Sequence, residues 1–183
     1  MSNTADTSTK IMDAAEGYMR TRGYNAFSFR DIAADIGIKT ASIHYHFPSK
    51  ADLGAAVTER YTERFLEHLG PPDAYNHTKQ ITRYIAAFRS SYSAGDQMCL
   101  CGMLGAEVSS LPESMTIVSK EFFVKNLLWL DKIYLSKEGE SFSIEQARQN
   151  SLRLLALLEG GLIVARSLDG LETFDHLVSQ ELI

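Results

Sequence analysis

Apolar residues recur at helical spacing along most of the chain. Ile11, Ala14, Ala15, Tyr18 and Met19 fall at i, i+3, i+4, i+7 and i+8, the stripe of an amphipathic helix, and Gly23 ends it. Phe29, Ile32, Ala33 and Ile36 make a shorter stripe behind Ser28, a good N-cap, with Asp31 three residues on in a weak form of the capping box. Gly37 follows and accepts a left-handed turn conformation. A third short helix fits Lys39 to Phe47, with Ile43 and Phe47 on its inner face. Ala41 and Tyr45 then point away from Ile43, flanked by Thr40 and His44. Pro48 stops this helix, and Ser49 caps the next one with Asp52 three residues later.

The remaining pattern is also helical. Leu53 to Leu69 carries Val57, Tyr61 and Phe65 every four residues and ends at Gly70-Pro71-Pro72. Ile81, Tyr84, Ile85, Phe88 and Tyr92 form the next stripe. A segment from about Gln97 to Ser109 precedes Leu111-Pro112-Glu113, and Met115 to Leu135 is long and aromatic. A polar loop, Ser136 to Ser141, leads to a long helix over Ser143 to Leu168. Asp169-Gly170 turns into a short terminal helix, Leu171 to Leu182. With no strand signal, repeat or low-complexity tract, the fold class is all-α.

The stretch FRDIAADIGIKTASIHYHFPSK therefore reads as two short helices joined by a tight turn, the second polar and aromatic on its outside. That is a helix-turn-helix, whose usual work is to lay its second helix in the major groove of DNA. The other reading is a helical hairpin inside a larger bundle. A plain solvated face, however, would be filled with Glu and Lys, not with Lys39, Thr40, Ala41, His44 and Tyr45.

These residues also carry a resemblance. From about Thr9 to Leu69 the chain resembles the DNA-binding domain of the TetR/AcrR family of transcriptional regulators, through IMDAAEGYMRTRGYNAFSFRDIAADIGIKTASIHYHFPSKADL. YHFPSK after IAADIGI is far more specific than a generic helix-turn-helix. The resemblance implies a three-helix DNA-binding domain, placed at residues 1–52, and a helical ligand-binding and dimerisation domain, placed at residues 53–183. It implies about nine helices per subunit, a homodimer on a palindromic double-stranded operator, and repression relieved by a small-molecule inducer of apolar or aromatic character. The inducer's identity is not readable. Ligand binding would favour a conformer in which the Leu53–Leu69 helix swings and the recognition helices no longer fit successive grooves.

In the docking this implies, Thr40, Ala41 and His44 face the groove floor. Arg30 reaches a guanine edge with its planar fork. Ser28, Ser42, Tyr45, His46 and Lys50 contact phosphates, which position the domain without reading sequence. His46 has a second reading, as a ring packed beside Phe47. Many family members carry Tyr where this chain has His44, a departure that bears on base preference.

Charge tempers the picture. Up to Leu69 there are eight basic and nine acidic residues, a net −1; beyond it there are ten and fourteen, a net −4. The DNA face must be basic only locally, and a shallow salt dependence follows.

Two further constellations lie in the C-terminal part. In SLRLLALLEGGLIVAR, Leu152, Leu155, Ala156, Glu159, Gly160 and Ile163 share one face, and Leu154, Leu158, Leu162 and Ala165 another. A helix apolar on nearly all sides is buried. The family-like reading makes the first face a dimer interface; the alternative is a central helix of a monomer. Tyr61, Phe65, Tyr84, Phe88, Tyr92, Met103, Phe122, Phe123 and Trp129 form a set that fits the lining of an apolar ligand cavity, although aromatic stripes at helical spacing are more often plain core.

Cys99 and Cys101 offer an alternative function. The segment MCLCGMLGAE resembles one in a subgroup of the family, and a thiol- or metal-responsive regulator is the corresponding reading. On a helix, i and i+2 lie about 200° apart, so the two thiols act together only if the segment unwinds. A buried free Cys is usually a small core hydrophobe. No metal site and no cofactor are expected. No glycine-rich phosphate loop, nucleophile elbow or HExxH motif is present, so no enzyme is expected either. No apolar run reaches the ~20 residues of a membrane span, and MSNTADTSTK lacks the apolar core of a secretory signal, which leaves a cytoplasmic protein without membrane contact as the expectation.

Overall fold

A computed structural model describes residues 4–92, 97–136, 142–168 and 170–179. Nine α-helices lie among these residues: α1 (Thr4–Arg22), α2 (Phe29–Asp35), α3 (Thr40–His46), α4 (Lys50–Leu69), α5 (His77–Ser91), α6 (Leu100–Ala106), α7 (Glu113–Leu135), α8 (Ile144–Ser167) and α9 (Leu171–Val178). Short 3₁₀ turns occupy Tyr24–Ala26 and Val108–Ser110, and no strand occurs among the described residues. The all-α expectation with about nine helices holds. The helix expected from Leu53 starts three residues earlier, at Lys50, because Ser49 and Asp52 form its cap: Asp52 Oδ2 accepts from the Ser49 amide at 3.0 Å and the Ser49 hydroxyl at 2.7 Å. The segment expected over Gln97–Ser109 is helical only from Leu100 to Ala106 and then tightens into the second 3₁₀ turn. Most of the loop Ser136–Ser141, Asp169 and the expected end of the last helix at Leu182 lie outside the described residues.

The helices gather into two compact units that interleave along the chain. One takes in the described residues up to Thr62 together with Leu100–Phe122; the other takes in Glu63–Cys99 and the described residues from Phe123 onward. A cut at residue 52 or 53 does not coincide with this division. The first half of α4, all of α6 and the first part of α7 cluster with the helix-turn-helix.

In the first unit, Ile11, Ala15 and Met19 of α1 are completely buried, as are Ile32, Ile43, Leu53 and Val57. α1 packs on α2, α3 and α6. Two long-range hydrogen bonds fix the loop after α1. The Tyr24 amide donates to Glu107 Oε2 at 2.7 Å, and the Asn25 side-chain amide donates to the Ser110 hydroxyl at 2.9 Å. Gly23 makes this approach feasible: its φ is +88° and its ψ 167°, backbone space that is essentially glycine's alone, and a Cβ there would stand 2.5 Å from Glu107 Oε1. Gly23→Ala is expected to destabilise the protein by at least about 1–3 kcal/mol. Urea unfolding checks this, and a midpoint equal to wild type contradicts it.

In the second unit, Tyr84 and Phe88 of α5, Leu158 and Leu162 of α8, and Phe174 of α9 are fully buried. Among the described residues α8 and α9 pack extensively on each other. Gly161 lets them close: a Cβ there would meet the Phe174 ring at 3.3 Å. Arg89 on α5 forks onto Asp175 of α9 at 2.6 and 2.8 Å, and this partner holds the Asp175 carboxyl below its usual range. α8 starts with a complete capping box, Ser143 to Gln146, which satisfies two of its orphan amides.

Candidate nucleic-acid interface

The recognition unit is fixed at both ends by short-range bonds. Asp31 Oδ2 accepts from the Ser28 amide and from the Ser28 hydroxyl, both at 2.7 Å, which anchors the first turn of α2 and lowers the Asp31 pKa. After α2, Gly37 takes φ +69° and the Ile38 amide returns to the Ala33 carbonyl at 3.0 Å. This closes the tight turn that sets α3 against α2. Ile43 and Phe47 face the core, as the spacing predicts.

The opposite face is open. Tyr45 is 78% exposed, far more than a tyrosine needs to be. Arg30, Lys39, Ala41 and His44 are exposed with it, while Thr40, Ser42 and His46 are half-buried. His44 is held from two sides: its ring lies edge-on to Phe29 at 4.9 Å between centroids, and its Nδ1 is 3.3 Å from the Pro48 carbonyl. In the tautomer protonated at Nδ1, that nitrogen donates to Pro48 and Nε2 presents an acceptor. His46 stands 5.2 Å from the Tyr45 ring and 6.4 Å from Phe47, so its ring is shared between the outer face and the core edge.

Two of the expected phosphate contacts have other occupations. The Ser28 hydroxyl is engaged with Asp31. Lys50 turns inward: its ammonium donates to the Phe27 carbonyl and lies 4.6 and 4.3 Å from the centroids of Tyr24 and Phe27. Burial pulls its pKa down, against the charges of Glu107 and Asp31. An inward ammonium with a backbone acceptor and two ring neighbours clamps the start of α4 to the loop after α1, a structural task the sequence did not disclose. Glu107 was missed for the same reason. It lies 83 residues from Tyr24, and no local pattern links them.

The expected dimer face of α8 is divided. Leu152 and Ile163 are about half exposed, at 48% and 52%, with Ala156 exposed and Gly160 partly so. Leu155, only 5% exposed, belongs to the core. Glu159 lies between: the residue is partly exposed, but both carboxylate oxygens are buried, with the weakly donating Cys99 thiol beside them. Burial pushes its carboxyl up to about 7, with the Cys99 thiol beside it restraining the rise. The backbone geometry explains this position. Glu159 follows the buried Leu158 by one helical step of about 100°, at the border between faces, where a long side chain folds either way.

The expected pocket residues separate as well. Tyr61, Met103 and Phe122 belong to the first unit, where Tyr61 and Phe122 pack at 5.9 Å. Phe65, Tyr84, Phe88, Tyr92, Phe123 and Trp129 belong to the second. There, Tyr84 stacks on Trp129 at 5.5 Å and touches Phe88 and Phe65 at 5.2 and 6.1 Å. These rings fill space against each other, as a core does. Tyr84 also donates its hydroxyl to Asn126 Oδ1 at 2.9 Å; burial first, then the Glu159 charge, raises its pKa well above normal. A separate groove of about 270 Å³ is lined by Leu66, Gly70, Pro72, Lys125, Leu128, Trp129 and Lys132. It shares only Trp129 with the expected set. Cys99 and Cys101 are both buried and neither forms a disulfide, and no cluster of three or more His, Cys, Asp or Glu able to hold a metal occurs among the described residues. This gives no support to the thiol- or metal-responsive alternative. No helix among the described residues is long and apolar enough to cross a membrane.

A helix-turn-helix with a rigid turn and an exposed, aromatic and polar recognition face, carried on an all-helical chain, defines a DNA-binding transcriptional regulator. Residues 11–57 match the family described as bacterial regulatory proteins, tetR family. The TetR transcriptional regulator from Legionella pneumophila is 34% identical, with a TM-score of 0.88 over 100% of this chain and 99% of that one. A TetR-family regulator from Agrobacterium tumefaciens is 27% identical, with a TM-score of 0.89 over 98% and 97%. The HTH-type transcriptional regulator CymR of Pseudomonas putida is 32% identical over 62 residues, which span 34% of this chain and 30% of that protein. The chain belongs to the TetR family of bacterial transcriptional regulators.

Proposed function

We propose that this regulator is a homodimeric repressor. Each subunit sets α3 into the major groove at one half of a palindromic operator, and a small apolar or aromatic ligand bound in the C-terminal helices releases it. The observation that carries the DNA reading is the outer face of α3, where Tyr45 stands almost fully exposed beside His44, Ala41 and the half-buried Thr40. Thr40, Ala41 and His44 read base edges, and the His44 tautomer described above offers its Nε2 to an amino group of adenine or cytosine. Arg30 takes a guanine edge. Tyr45, Ser42 and His46 hold phosphates; Ser28 and Lys50 support the docking from within, as cap and clamp. Ligand release is a linkage effect: the ligand weakens operator binding by the same factor by which the operator weakens ligand binding.

Fluorescence anisotropy with the promoter fragment and randomised sites tests the docking. Tyr45→Ala is expected to weaken binding to all sequences alike. Thr40→Ala or His44→Ala is expected to change discrimination between sites by about 1–3 kcal/mol. Normal operator binding by Tyr45→Ala removes the proposed docking.

A further inference from the structure

The groove beside Trp129 lies wholly within the second unit and combines apolar walls with two cations. Lys125, Leu128, Trp129 and Lys132 fall at i, i+3, i+4 and i+7, so α7 presents them as one stripe with a lysine at either end. Seven residues of helix set the two lysines about 10 Å apart along the axis. The end of α4 and the turn after it add Leu66, Gly70 and Pro72. Trp129 is held on two sides: its ring stacks on Tyr84 at 5.5 Å, and its Nε1 donates to the Gly70 carbonyl at 2.8 Å. The Gly70 amide donates to the Leu66 and Glu67 carbonyls at 2.9 and 3.2 Å, and proline has no amide hydrogen to offer. The lysine ammonium groups are therefore the donors this lining can give a ligand, and no acid stands among the lining residues. That composition runs against its surroundings, since the chain beyond Leu69 carries a net −4. Leu128 leaves an apolar side chain 50% exposed on the same stripe. A volume of about 270 Å³ suits a compact molecule and is too small for a helix about 10 Å across.

We propose that this groove binds a small apolar carboxylate, whose hydrocarbon body covers Leu66, Leu128 and Trp129 and whose carboxylate is held by the ammonium groups of Lys125 and Lys132. The regulatory consequence rests on the ligand-controlled reading; the groove adds a place and a chemical class. Hydrocarbon laid over Leu128 removes open apolar surface from water. The carboxylate gains charge-assisted hydrogen bonds, which salt weakens because both lysines are exposed. A neutral alcohol of the same length gains the first contribution without the second, and an amine meets two like charges. Leu66 belongs to α4, one continuous helix from the Lys50 clamp to Leu69, so a ligand seated against Leu66 bears on the helix that leads from the recognition unit.

The test uses the full chain at pH 7.5, with octanoate as the probe and octan-1-ol, octylamine and butyrate as controls. Trp129 is the single tryptophan and lines the groove, so its fluorescence reports binding directly. Octanoate is expected to give a saturable change, weakened by sodium chloride, while each control binds at least about tenfold more weakly. The double variant Lys125→Gln/Lys132→Gln is expected to lose at least about tenfold in octanoate affinity. Leu128→Glu, which sets an acid in the groove, is expected to lose as much. All three positions are exposed, so the melting temperatures of the unliganded variants should stay near wild type and show that the fold is kept. No saturable response to octanoate below about 10 mM, equal binding of the alcohol or the amine, or undiminished binding to both variants overturns the proposal. Octanoate binding that leaves operator affinity unchanged sustains the groove and removes its part in ligand release. Operator release by octanoate that both variants retain overturns the groove and leaves ligand release standing.

Discussion

Ile163→Lys is expected to give a folded monomer whose operator affinity has fallen by on the order of a thousandfold. Ile163 is 52% exposed on α8, in line with Leu152 at 48%, the exposed Ala156 and the half-buried Gly160, while Val164 and Leu177 add further open apolar surface on α8 and α9. Apolar residues gathered on one helix pair mark an interaction surface rather than scatter. A two-fold interface repeats each substitution, so one lysine per chain places two desolvated charges in one seam. The side chain lies outside the core, so the fold itself should survive. A monomer reads one half-site and forfeits the base and phosphate contacts of the other, which is where the large loss comes from. Sedimentation at micromolar concentration and anisotropy on the intact operator check both halves of this expectation. A dimer with wild-type operator affinity rules out α8 as the seam.

Glu159→Gln is expected to stabilise the protein above pH 7, by up to about 3 kcal/mol, and to flatten its pH–stability curve. The ordinary glutamate value is 4.5 and burial lifts the folded value to about 7. Below pH 4.5 both states hold the proton and the group contributes nothing. Between the two values the native state keeps a proton that the unfolded chain has lost, so wild-type stability falls as pH rises. Above pH 7 both states have released it, and the full cost of the buried charge is present. Glutamine has no proton to lose. Urea unfolding from pH 5 to pH 8 separates the two proteins: the curves should converge at the acid end and part toward the alkaline end. Parallel curves would show that Glu159 is hydrated in the folded protein.

The recognition unit was legible because everything that shapes it is local. Phe29, Ile32 and Ala33 reveal the inner face of α2, Ser28 and Asp31 its start, Gly37 its turn, and Pro48 the end of α3. The helices beyond were legible from their stripes and their punctuation at Gly70-Pro71-Pro72 and Pro112. Long side chains were not. Lys50 reads as a surface cation until its ammonium is seen against the Tyr24 and Phe27 rings. Glu159 shares a helical face with Leu152 and Ile163, yet its carboxylate is carried inward to Cys99 and Tyr84 by three rotatable bonds. Leu155 shares the face of Leu152 and Ile163 by spacing yet is buried, because an almost wholly apolar helix gives no contrast between its sides. The aromatic residues raised the same difficulty: periodicity places Tyr84, Phe88 and Trp129 inside without saying whether they line space or fill it.

The interleaving of the two compact units bears on how such a regulator can be recombined. A single crossover near residue 52 would carry Tyr24, Asn25 and Gly23 into a new chain while leaving behind Glu107 and Ser110, the groups they are shaped to meet. A hybrid of two relatives would then inherit a loop with an unmet amide and a glycine bend built for an absent carboxylate. Exchange of DNA specificity between family members therefore has two routes: substitution along α3 itself, or transfer of two separate stretches of sequence at once. The first requires changes at only a handful of exposed positions, and none of them touches this joint.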